Sequence, residues 1–327
     1  MMNLESVDRY RSAFIFHLEN KVKLREPQNL YEPMVYILGL GGKRLRPVLT
    51  LMTTDLFGGN FEDALDAALT VEVFHNFSLV HDDIMDDAPL RRGQTTVHEK
   101  WDVNTGILSG DAMLINSYQF LENYPSDIFK KLTSLFSKTA IEVCEGQQYD
   151  IDFESRDDVT IPEYLKMIEC KTAVLVAAAM KMGAVIGKAS EDDTNAIYEF
   201  GKNLGIAFQL QDDYLDAFGD PKTFGKQVGG DIIENKKTFL YLKALEFTKQ
   251  SERENLLHLY SIKPENPEGK INTVKSIFEE SGAVDAAKAE INNYTKKAFS
   301  ALDTIHLSEP NKRVFKEFGQ NLMNRTV

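Results

Sequence analysis

The fold class is decided first by residues 65–86, which read LDAALTVEVFHNFSLVHDDIMD. Apolar residues recur there every three or four positions, the spacing that places side chains on one face of an α-helix. The residues on this face are Leu65, Ala68, Leu69, Val73, Phe77 and Val80. Because apolar residues also occupy positions between them, we expect a helix that is buried inside a larger bundle.

Similar spacing covers most of the remaining chain. Apolar residues recur at helical intervals over 132–143, 164–179 and 197–208, and only 10 of the 327 residues are proline. Runs with the composition of β-strands, bounded by turn residues, are missing. No stretch has the composition of an interdomain linker. The sequence therefore predicts an all-α protein, with a single large helical bundle that forms one domain over residues 1–327.

Several residues mark where helices begin and end. Thr160, followed three residues later by Glu163, has the pattern of an N-terminal capping box. We expect Pro89 to end the helix that begins at residue 65, since proline disrupts the backbone hydrogen bonds of a helix. We expect Lys171-Thr172 to stand at the head of a strongly apolar helix.

The overall composition excludes several classes of protein. A net charge of −13 argues against a nucleic-acid partner. Cys144 and Cys170 are too few for a disulfide framework, and no group of Cys and His has zinc spacing. The N-terminus lacks a secretory signal pattern, so we expect a cytoplasmic protein. The most apolar stretch, 172–187, contains Lys181 and is too short to span a bilayer, so we expect no stable membrane insertion.

Two aspartate-rich motifs carry the candidate chemistry. They are Asp82-Asp83-Ile84-Met85-Asp86 and Asp212-Asp213-Tyr214-Leu215-Asp216. On a helix, the first and last aspartate of each motif lie on the same face, one turn apart. A cluster of acids on a wet surface would explain either motif alone. Both motifs follow apolar segments, however, and buried carboxylates need partners. Such oxygen-only ligand sets suit Mg²⁺, which usually also binds substrate phosphates.

Basic residues lie close to these motifs in the sequence. Arg91-Arg92 follows the first motif, and Gly41-Gly42-Lys43-Arg44-Leu45-Arg46-Pro47 is a second basic segment that its glycines make compact. Taken alone, this segment would more often be a solvated turn. Lys43, Arg46 and Arg92 together match the charge of one diphosphate without a metal ion. Lys171 precedes the second motif, and Lys226 and Lys236 follow it.

Six short motifs follow one another along the chain. They are residues 41–47, Glu72 with His75, residues 80–86 running on to Leu90-Arg91-Arg92-Gly93, Gly146-Gln147 with Asp150, Lys171-Thr172-Ala173, and residues 208–216. In order and separation they resemble the trans-isoprenyl diphosphate synthases, the polyprenyl synthetase family that includes farnesyl and geranylgeranyl diphosphate synthases. Where many bacterial members have Glu-Gly-Lys, this chain has Glu234-Asn235-Lys236. Asparagine tolerates a left-handed backbone nearly as glycine does.

The resemblance implies the isoprenoid synthase type I fold, a helical bundle around a central cavity, and a role for each motif residue. Asp82 and Asp86, supported by Asp83, would bind two Mg²⁺ ions on an allylic diphosphate. Asp212, with Asp216 and with Asp213 assisting, would bind a third ion, and Mn²⁺ can substitute for Mg²⁺. Residues implied to hold the allylic diphosphate are Arg91, Lys171, Lys226 and Lys236. Residues implied to hold isopentenyl diphosphate are Lys43, Arg46, His75 and Arg92. Residues implied to line the reaction cavity are Thr172, Gln209, Gln147 and Asp150.

The implied reaction is a head-to-tail condensation of isopentenyl diphosphate with dimethylallyl, geranyl or farnesyl diphosphate. The allylic substrate ionises, the isopentenyl double bond attacks the cation, and a proton leaves. No protein base is assigned, because in the family the released diphosphate is thought to take that proton. Two alternatives stay open. One is a class I terpene cyclase, and the other is a non-catalytic subunit of a heteromeric prenyl synthase. A third, a plain helical interaction protein, would leave the aspartates unexplained.

Product length is predicted from the helix that carries the first motif. Phe77 lies five residues before Asp82, or roughly 7–8 Å along a helix axis. An aromatic ring there would form the floor of the cavity, with Phe74 as the next barrier. Ordinary core packing of Phe77 is the alternative. Ser78 occupies a position where animal-type farnesyl synthases usually have an aromatic residue, so we favour a C20 product over C15. The family resemblance also implies a homodimer. No apolar stripe in the sequence indicates where its interface lies.

Overall fold

The computed structural model describes residues 4–220 and 228–323. Almost all of its regular structure is helical, and in these ranges the strands are limited to one two-stranded hairpin. The prediction of an all-α protein is confirmed. No helix within these ranges is both long enough and apolar enough to cross a membrane.

The elements follow one another with short connections. Up to residue 123 they are α1 (Leu4–Lys21), α2 (Gln28–Gly39), α3 (Leu45–Leu56), a 3₁₀ turn (Phe61–Ala64), α4 (Leu65–Met85), β1 (Leu90–Arg91), β2 (Gln94–Thr95), α5 (Val97–Lys100), α6 (Val103–Gln119) and a 3₁₀ turn (Phe120–Asn123). Beyond it they are α7 (Ser126–Glu154), α8 (Ile161–Ile168), a π turn (Glu169–Ala173), α9 (Val174–Ile186), α10 (Glu191–Phe218), α11 (Gly230–Ile233), α12 (Phe239–Phe247), α13 (Gln250–Leu259), α14 (Glu268–Glu280), α15 (Ala283–Asp303) and α16 (Glu309–Met323).

The residues group into two compact units. The first unit contains the described residues up to Thr139, with Leu175–Tyr198 and Ile305–Asn311. The second unit contains Ala140–Val174, Glu199–Thr304 and the described residues from Lys312 onward. The single domain over residues 1–327 stays a prediction.

In the first unit, α4 is the central helix. It packs against α3 and α6, while α2 packs on α6 and α1 on α3. Phe74 of α4 is fully buried, with its ring centroid 5.2 Å from that of Phe136 and 5.5 Å from that of Phe77. The burial of α4 on several sides agrees with its apolar pattern, and it fixes the helix that carries the first aspartate motif.

The end of α4 differs from the expectation. The helix ends at Met85, four residues before Pro89, because Asp87 adopts a left-handed backbone with φ 50°. The amide of Ala88 then donates to the carbonyl oxygen of Asp83 at 2.9 Å, which closes the helix end before proline is reached.

A β-hairpin follows this helix end, and the sequence analysis did not predict it. Leu90 pairs with Thr95 and Arg91 with Gln94. The two turn residues, Arg92 and Gly93, have φ values of 53° and 73°. Two consecutive positive φ values are the signature of a type I′ turn, whose twist matches that of the strands.

The second unit has its own apolar core. α12 packs against α8 and α15, and α14 packs on α15. The core includes Tyr164, Phe239, Leu240, Tyr241 and Phe278. The capping box at the start of α8 is confirmed, since the Thr160 hydroxyl accepts from the Glu163 amide and the Glu163 carboxylate accepts from the Thr160 amide at 2.9 Å.

The apolar helix of the sequence analysis begins later than expected. Lys171-Thr172 lies within the π turn, and α9 begins at Val174. Such a turn inserts one extra residue into a helical path and frequently marks a functional site. It changes the direction in which Lys171 and Thr172 point relative to a regular helix.

Candidate active site

The first aspartate motif occupies the last turn of α4. The amide of Asp86 donates to the carbonyl oxygen of Asp82 at 2.9 Å, so the two residues lie one helical turn apart as predicted. Asp83 points elsewhere and is 1% exposed. Arg91 of β1 donates to Asp83 through Nε at 2.8 Å and through Nη2 at 2.6 Å. Its Nη2 also lies 3.6 Å from Asp82 Oδ2, so Asp83 holds Arg91 beside the motif.

Arg91 offsets part of the negative charge at this helix end. Burial disfavours the charge of Arg91, but the bond to Asp83 and the nearby carboxylates outweigh it and raise the pKa of Arg91 above its ordinary value. Burial raises the pKa of Asp83, and the bond from Arg91 opposes this rise. Arg91 is therefore a fixed cation at the edge of the first motif.

Arg44 differs from the other basic residues of its segment, because its side chain is buried in an ion pair. It precedes α3 with a left-handed backbone, φ 49°, and donates hydrogen bonds to the Glu72 carboxylate and to the carbonyl oxygen of Leu38. The side chains of Arg44 and Glu72 are 5% and 4% exposed. This buried ion pair fixes the start of α3, and the sequence analysis did not distinguish it from the neighbouring cations.

Three predicted ligands of isopentenyl diphosphate come together in the first unit. Arg46 Nη1 lies 3.3 Å from His75 Nε2, and Arg46 Nε has no hydrogen-bond partner within the described part of the chain. Arg92 donates through Nη1 to the carbonyl oxygen of Gly41. Its guanidinium lies so close to Gly42 that a Cβ there would come within 3.0 Å of Arg92 Cζ, and Gly42 has φ 123°. Lys43 is exposed in the same loop.

These cations repel one another. Burial, followed by the charges of Arg46 and Arg92, holds the pKa of His75 well below its ordinary value, so His75 is neutral and can accept from Arg46. Burial and the charge of Arg92 lower the pKa of Arg46, although Glu72 opposes the shift. Burial and Arg44 likewise lower the pKa of Arg92. We call residues Arg46, His75 and Arg92 the arginine cluster. Because a bound anion would relieve the repulsion between its cations, we regard the cluster as a candidate anion site.

The predicted chain-length residues lie on α4 below the first motif. Phe77 is 8% exposed and its ring centroid is 4.8 Å from that of His81. The hydroxyl of Ser78 donates to the carbonyl oxygen of His75 at 2.8 Å. Phe74, one turn before Ser78, is completely buried. The order Phe74, Phe77 and Asp82 along the helix therefore holds, whereas the role of Phe77 stays a prediction.

The second aspartate motif lies near the end of α10. Asp213 is buried, and the hydroxyl of Tyr164 donates to one of its carboxylate oxygens. Gln209 Nε2 donates to the other at 2.8 Å, and the Thr172 hydroxyl donates to Gln209 Oε1 at 3.1 Å. Burial raises the pKa of Asp213 to about 6, against the opposing effect of these two donors. The chain of bonds fixes which way the Gln209 amide faces.

The π turn brings two further predicted residues together. Gly146 of α7 allows close approach, since a Cβ there would clash with the backbone of Cys170 and Lys171. One turn later on α7, Asp150 accepts a hydrogen bond from Lys171 Nζ at 2.5 Å. Gln147 Nε2 lacks a hydrogen-bond partner among the residues described.

A cavity of about 150 Å³ collects most of these side chains in the second unit. Predicted residues that line it are Asp150, Lys171, Thr172, Gln209, Asp213 and Lys236. Tyr164 and Asp231 line it as well, and the sequence analysis missed both. A tyrosine within the apolar face of α8 was the available signal, because a buried hydroxyl needs a partner. Lys226 lies outside the described residues.

The segment before Lys236 is held by local bonds. The amide of Asp231 donates to Asp216 Oδ2 and the amide of Lys236 donates to the carbonyl oxygen of Asp231, each at 2.9 Å. Asn235 has φ 62°, a left-handed conformation that asparagine tolerates nearly as well as glycine. Its side-chain oxygen accepts from Lys270, which is 4% exposed.

The aspartates fit a hard divalent cation. Asp82, Asp86, Asp212 and Asp216 are all partly or fully exposed and offer only carboxylate oxygens, the ligand chemistry that Mg²⁺ prefers. The middle aspartate of each motif, Asp83 or Asp213, differs in being buried, and its carboxylate accepts hydrogen bonds from protein side chains.

Comparison with known proteins identifies the family. The model of the polyprenyl synthetase family matches residues 27–279. The chain belongs to the polyprenyl synthetase family. A crystal structure of a geranylgeranyl pyrophosphate synthase is 52% identical with a TM-score of 0.94, covering 98% of this chain and 99% of that one. The geranylgeranyl diphosphate synthase of Sulfolobus acidocaldarius is 40% identical over 84% of each chain. That of Methanosarcina mazei is 36% identical over 99% of each chain.

Membership of the polyprenyl synthetase family indicates the general activity of the chain. The polyprenyl synthetase is a prenyltransferase of the short-chain trans type, and it elongates prenyl chains. It shares the helical isoprenoid synthase fold of the solved structures. These findings favour the prenyltransferase over the terpene cyclase and over the non-catalytic subunit.

Proposed function

We propose that this polyprenyl synthetase condenses isopentenyl diphosphate with dimethylallyl, geranyl and farnesyl diphosphates, in the presence of Mg²⁺, to give C20 geranylgeranyl diphosphate. The observation that carries the proposal is the arginine cluster. Arg46 Nη1 lies 3.3 Å from the neutral His75, and burial together with mutual repulsion lowers the pKa values of Arg46 and Arg92, so basic groups alone would stabilise a bound anion there. A condensing enzyme needs two diphosphate sites of different chemistry, whereas a terpene cyclase needs one.

The proposed roles divide between the two anion sites. Arg46, Arg92 and the neutral His75, together with Lys43, bind isopentenyl diphosphate through charge-assisted hydrogen bonds. Arg91, held by Asp83, binds the allylic diphosphate. The family resemblance assigns Lys171, Lys226 and Lys236 to the same diphosphate, and Lys171 and Lys236 line the cavity of the second unit.

The aspartates Asp82, Asp86, Asp212 and Asp216 would hold the metal. Mg²⁺ bound by these aspartates would supply positive charge that stabilises a departing diphosphate. Arg91 and the lysines add fixed charge to the same leaving group, and preorganised charge of this kind is usually the largest catalytic term. Thr172 and Gln209, bonded to each other, present oxygen atoms to the cationic carbon. The released diphosphate accepts the proton that completes the condensation.

The C20 product is proposed from the residues below the first motif. Phe77 keeps 8% of its surface exposed, while Phe74, deeper along α4, keeps none. The small side chain of Ser78 leaves room that an aromatic residue would fill. Relatives of matching length that are named geranylgeranyl diphosphate synthases support this choice.

The full chain should be incubated with isopentenyl diphosphate and labelled dimethylallyl diphosphate, with Mg²⁺, with Mn²⁺ and with a chelator. We expect labelled C20 diphosphate with either metal and no product with the chelator. Cyclic hydrocarbons would indicate a cyclase and absence of turnover a subunit. A C15 product would support condensation and contradict the assigned length.

We also propose a homodimer that forms through the exposed apolar side chains of α6. Val103, Ile107, Leu108 and Ile115 are 40–59% exposed and lie on one helix, a larger apolar surface than isolated exposed residues explain. Sedimentation of the wild type against an Ile107→Glu/Ile115→Glu double variant tests this. A wild type that sediments as a monomer, or a double variant that stays dimeric, would contradict it.

A further inference from the structure

One buried histidine has no role in the proposed reaction. The side chain of His98 on α5 is 4% exposed. Neither of its ring nitrogens has a hydrogen-bond partner among residues 4–220 and 228–323. A buried imidazole normally pairs at least one nitrogen, because an unpaired buried polar group is costly. A bound ligand would supply the partner that the ring nitrogens of His98 lack within the described residues.

Two carboxylates stand where that ligand would be. Glu99 Oε1 lies 3.9 Å from His98 Nε2. One nitrogen of His98 and one oxygen each of Asp87 and Glu99 lie within 4.8 Å of one another. The side chain of Glu99 is 51% exposed and Asp87 is exposed, so both carboxylates can adjust towards the histidine at little cost.

We propose that His98, Asp87 and Glu99 bind one divalent transition-metal ion of the Zn²⁺ type. One imidazole nitrogen and two carboxylate oxygens form a three-ligand set that leaves a position for water. Ligands of a four-coordinate Zn²⁺ lie about 3.3 Å apart. The three ligand atoms here lie within 4.8 Å of one another, so each pair would have to approach by at most about 1.5 Å. The nitrogen ligand disfavours Mg²⁺, which prefers oxygen alone. The site is thus distinct in chemistry from both aspartate motifs.

The position of the site gives the ion a structural consequence. Asp87 precedes the hairpin formed by β1 and β2, and His98 follows it. An ion that joins these residues closes the base of the hairpin that carries Arg91 and Arg92. Binding to the folded chain alone stabilises the fold by mass action. This inference does not depend on prenyl transfer and can be tested without turnover.

The test uses the full chain, stripped of metal and titrated with Co²⁺ in a large excess of Mg²⁺ that saturates the aspartate motifs. Co²⁺ bound through a nitrogen at low coordination number gives visible absorption that an all-oxygen site lacks. We expect about one Co²⁺ per chain in the wild type. Asp87→Asn and Glu99→Gln should each weaken Co²⁺ binding at least about ten-fold, and Glu122→Gln, a change at another exposed acid, should not.

Two further measurements complete the test. Zn²⁺ should raise the melting temperature of the wild type in excess Mg²⁺, with a smaller rise for Asp87→Asn and Glu99→Gln. Both variants change exposed residues, so they should fold, and neither should alter the Mg²⁺-supported condensation rate. Equal Co²⁺ affinity in the wild type and both variants would overturn the proposal. Complete displacement of Co²⁺ by Mg²⁺ would overturn it as well, since the ion would then occupy the aspartate motifs.

Discussion

Replacing Arg46 by methionine is expected to weaken isopentenyl diphosphate binding with little change in the free energy of unfolding. Arg46 Nε lacks a partner among the described residues, and burial together with the charge of Arg92 lowers its pKa. The charge of Arg46 therefore costs folding free energy rather than adding to it. Methionine keeps an unbranched apolar stem and removes the charge, but it also removes the donor to His75. The two effects oppose each other, so Arg46→Met should stay within about 1 kcal/mol of the wild type in unfolding free energy.

The size of the binding effect follows from the lost hydrogen bond. A hydrogen bond to a charged group contributes about 1.5–3 kcal/mol, which corresponds to a factor of roughly 10–150 in affinity. We expect KM for isopentenyl diphosphate to rise within this range, while KM for the allylic substrate changes less than about three-fold. Arg91→Met should reverse the pattern, because Asp83 holds Arg91 beside the first motif.

Arg44 provides the matched control. It lies two residues before Arg46 but forms a buried ion pair with Glu72. Arg44→Met would leave Glu72 buried without that partner, a change that typically costs about 3–5 kcal/mol of unfolding free energy. Urea denaturation and steady-state kinetics with each substrate varied would test all three variants. A loss of stability in Arg46→Met as large as that in Arg44→Met, or an equal rise of both KM values in Arg46→Met, would contradict these roles.

Three further predictions concern the metal, the product and the fold. Asp82→Ala and Asp212→Ala should each lower kcat/KM at least about 100-fold through lost stabilisation of the leaving group, measured with labelled substrate, and wild-type turnover in chelating buffer would contradict this. Phe77→Ala should lengthen the main product by at least one C5 unit with the first condensation near its original rate, as chromatography of dephosphorylated products would show; an unchanged length distribution would place the floor elsewhere. Asn235→Gly should lose about 1–3 kcal/mol of unfolding free energy in urea, because the buried Lys270 loses an acceptor, whereas Asn235→Asp keeps one. Equal stability of the glycine variant would exclude that role for Asn235.

Much of the helical framework could be predicted because local signals and burial agree. The apolar spacing from Leu65 to Val80 does run along one buried helix, and Thr160 with Glu163 does form a capping box. The i and i+4 relation of Asp82 and Asp86 also holds, since it depends only on helical geometry. These features need no information from distant parts of the chain.

The remaining features depend on contacts that sequence spacing does not contain. Nothing in the run of cations marks Arg44 as the buried member, because its partner Glu72 lies 28 residues away. The hairpin has strands of two residues and places Arg92 at positive φ, where arginine is uncommon. The π turn at Lys171 depends on how closely Gly146 lets α7 approach.

The type I′ turn makes adjacent arginines serve two different partners. Arg91 extends along β1 to Asp83, while Arg92, at the first turn position, reaches the carbonyl oxygen of Gly41. On the proposed function the two arginines belong to different diphosphate sites, and both are held in place before either substrate binds. The two-residue turn therefore fixes the spacing of the two sites. A substitution that disrupts the turn should weaken the binding of both substrates, whereas replacement of either arginine alone should weaken mainly one.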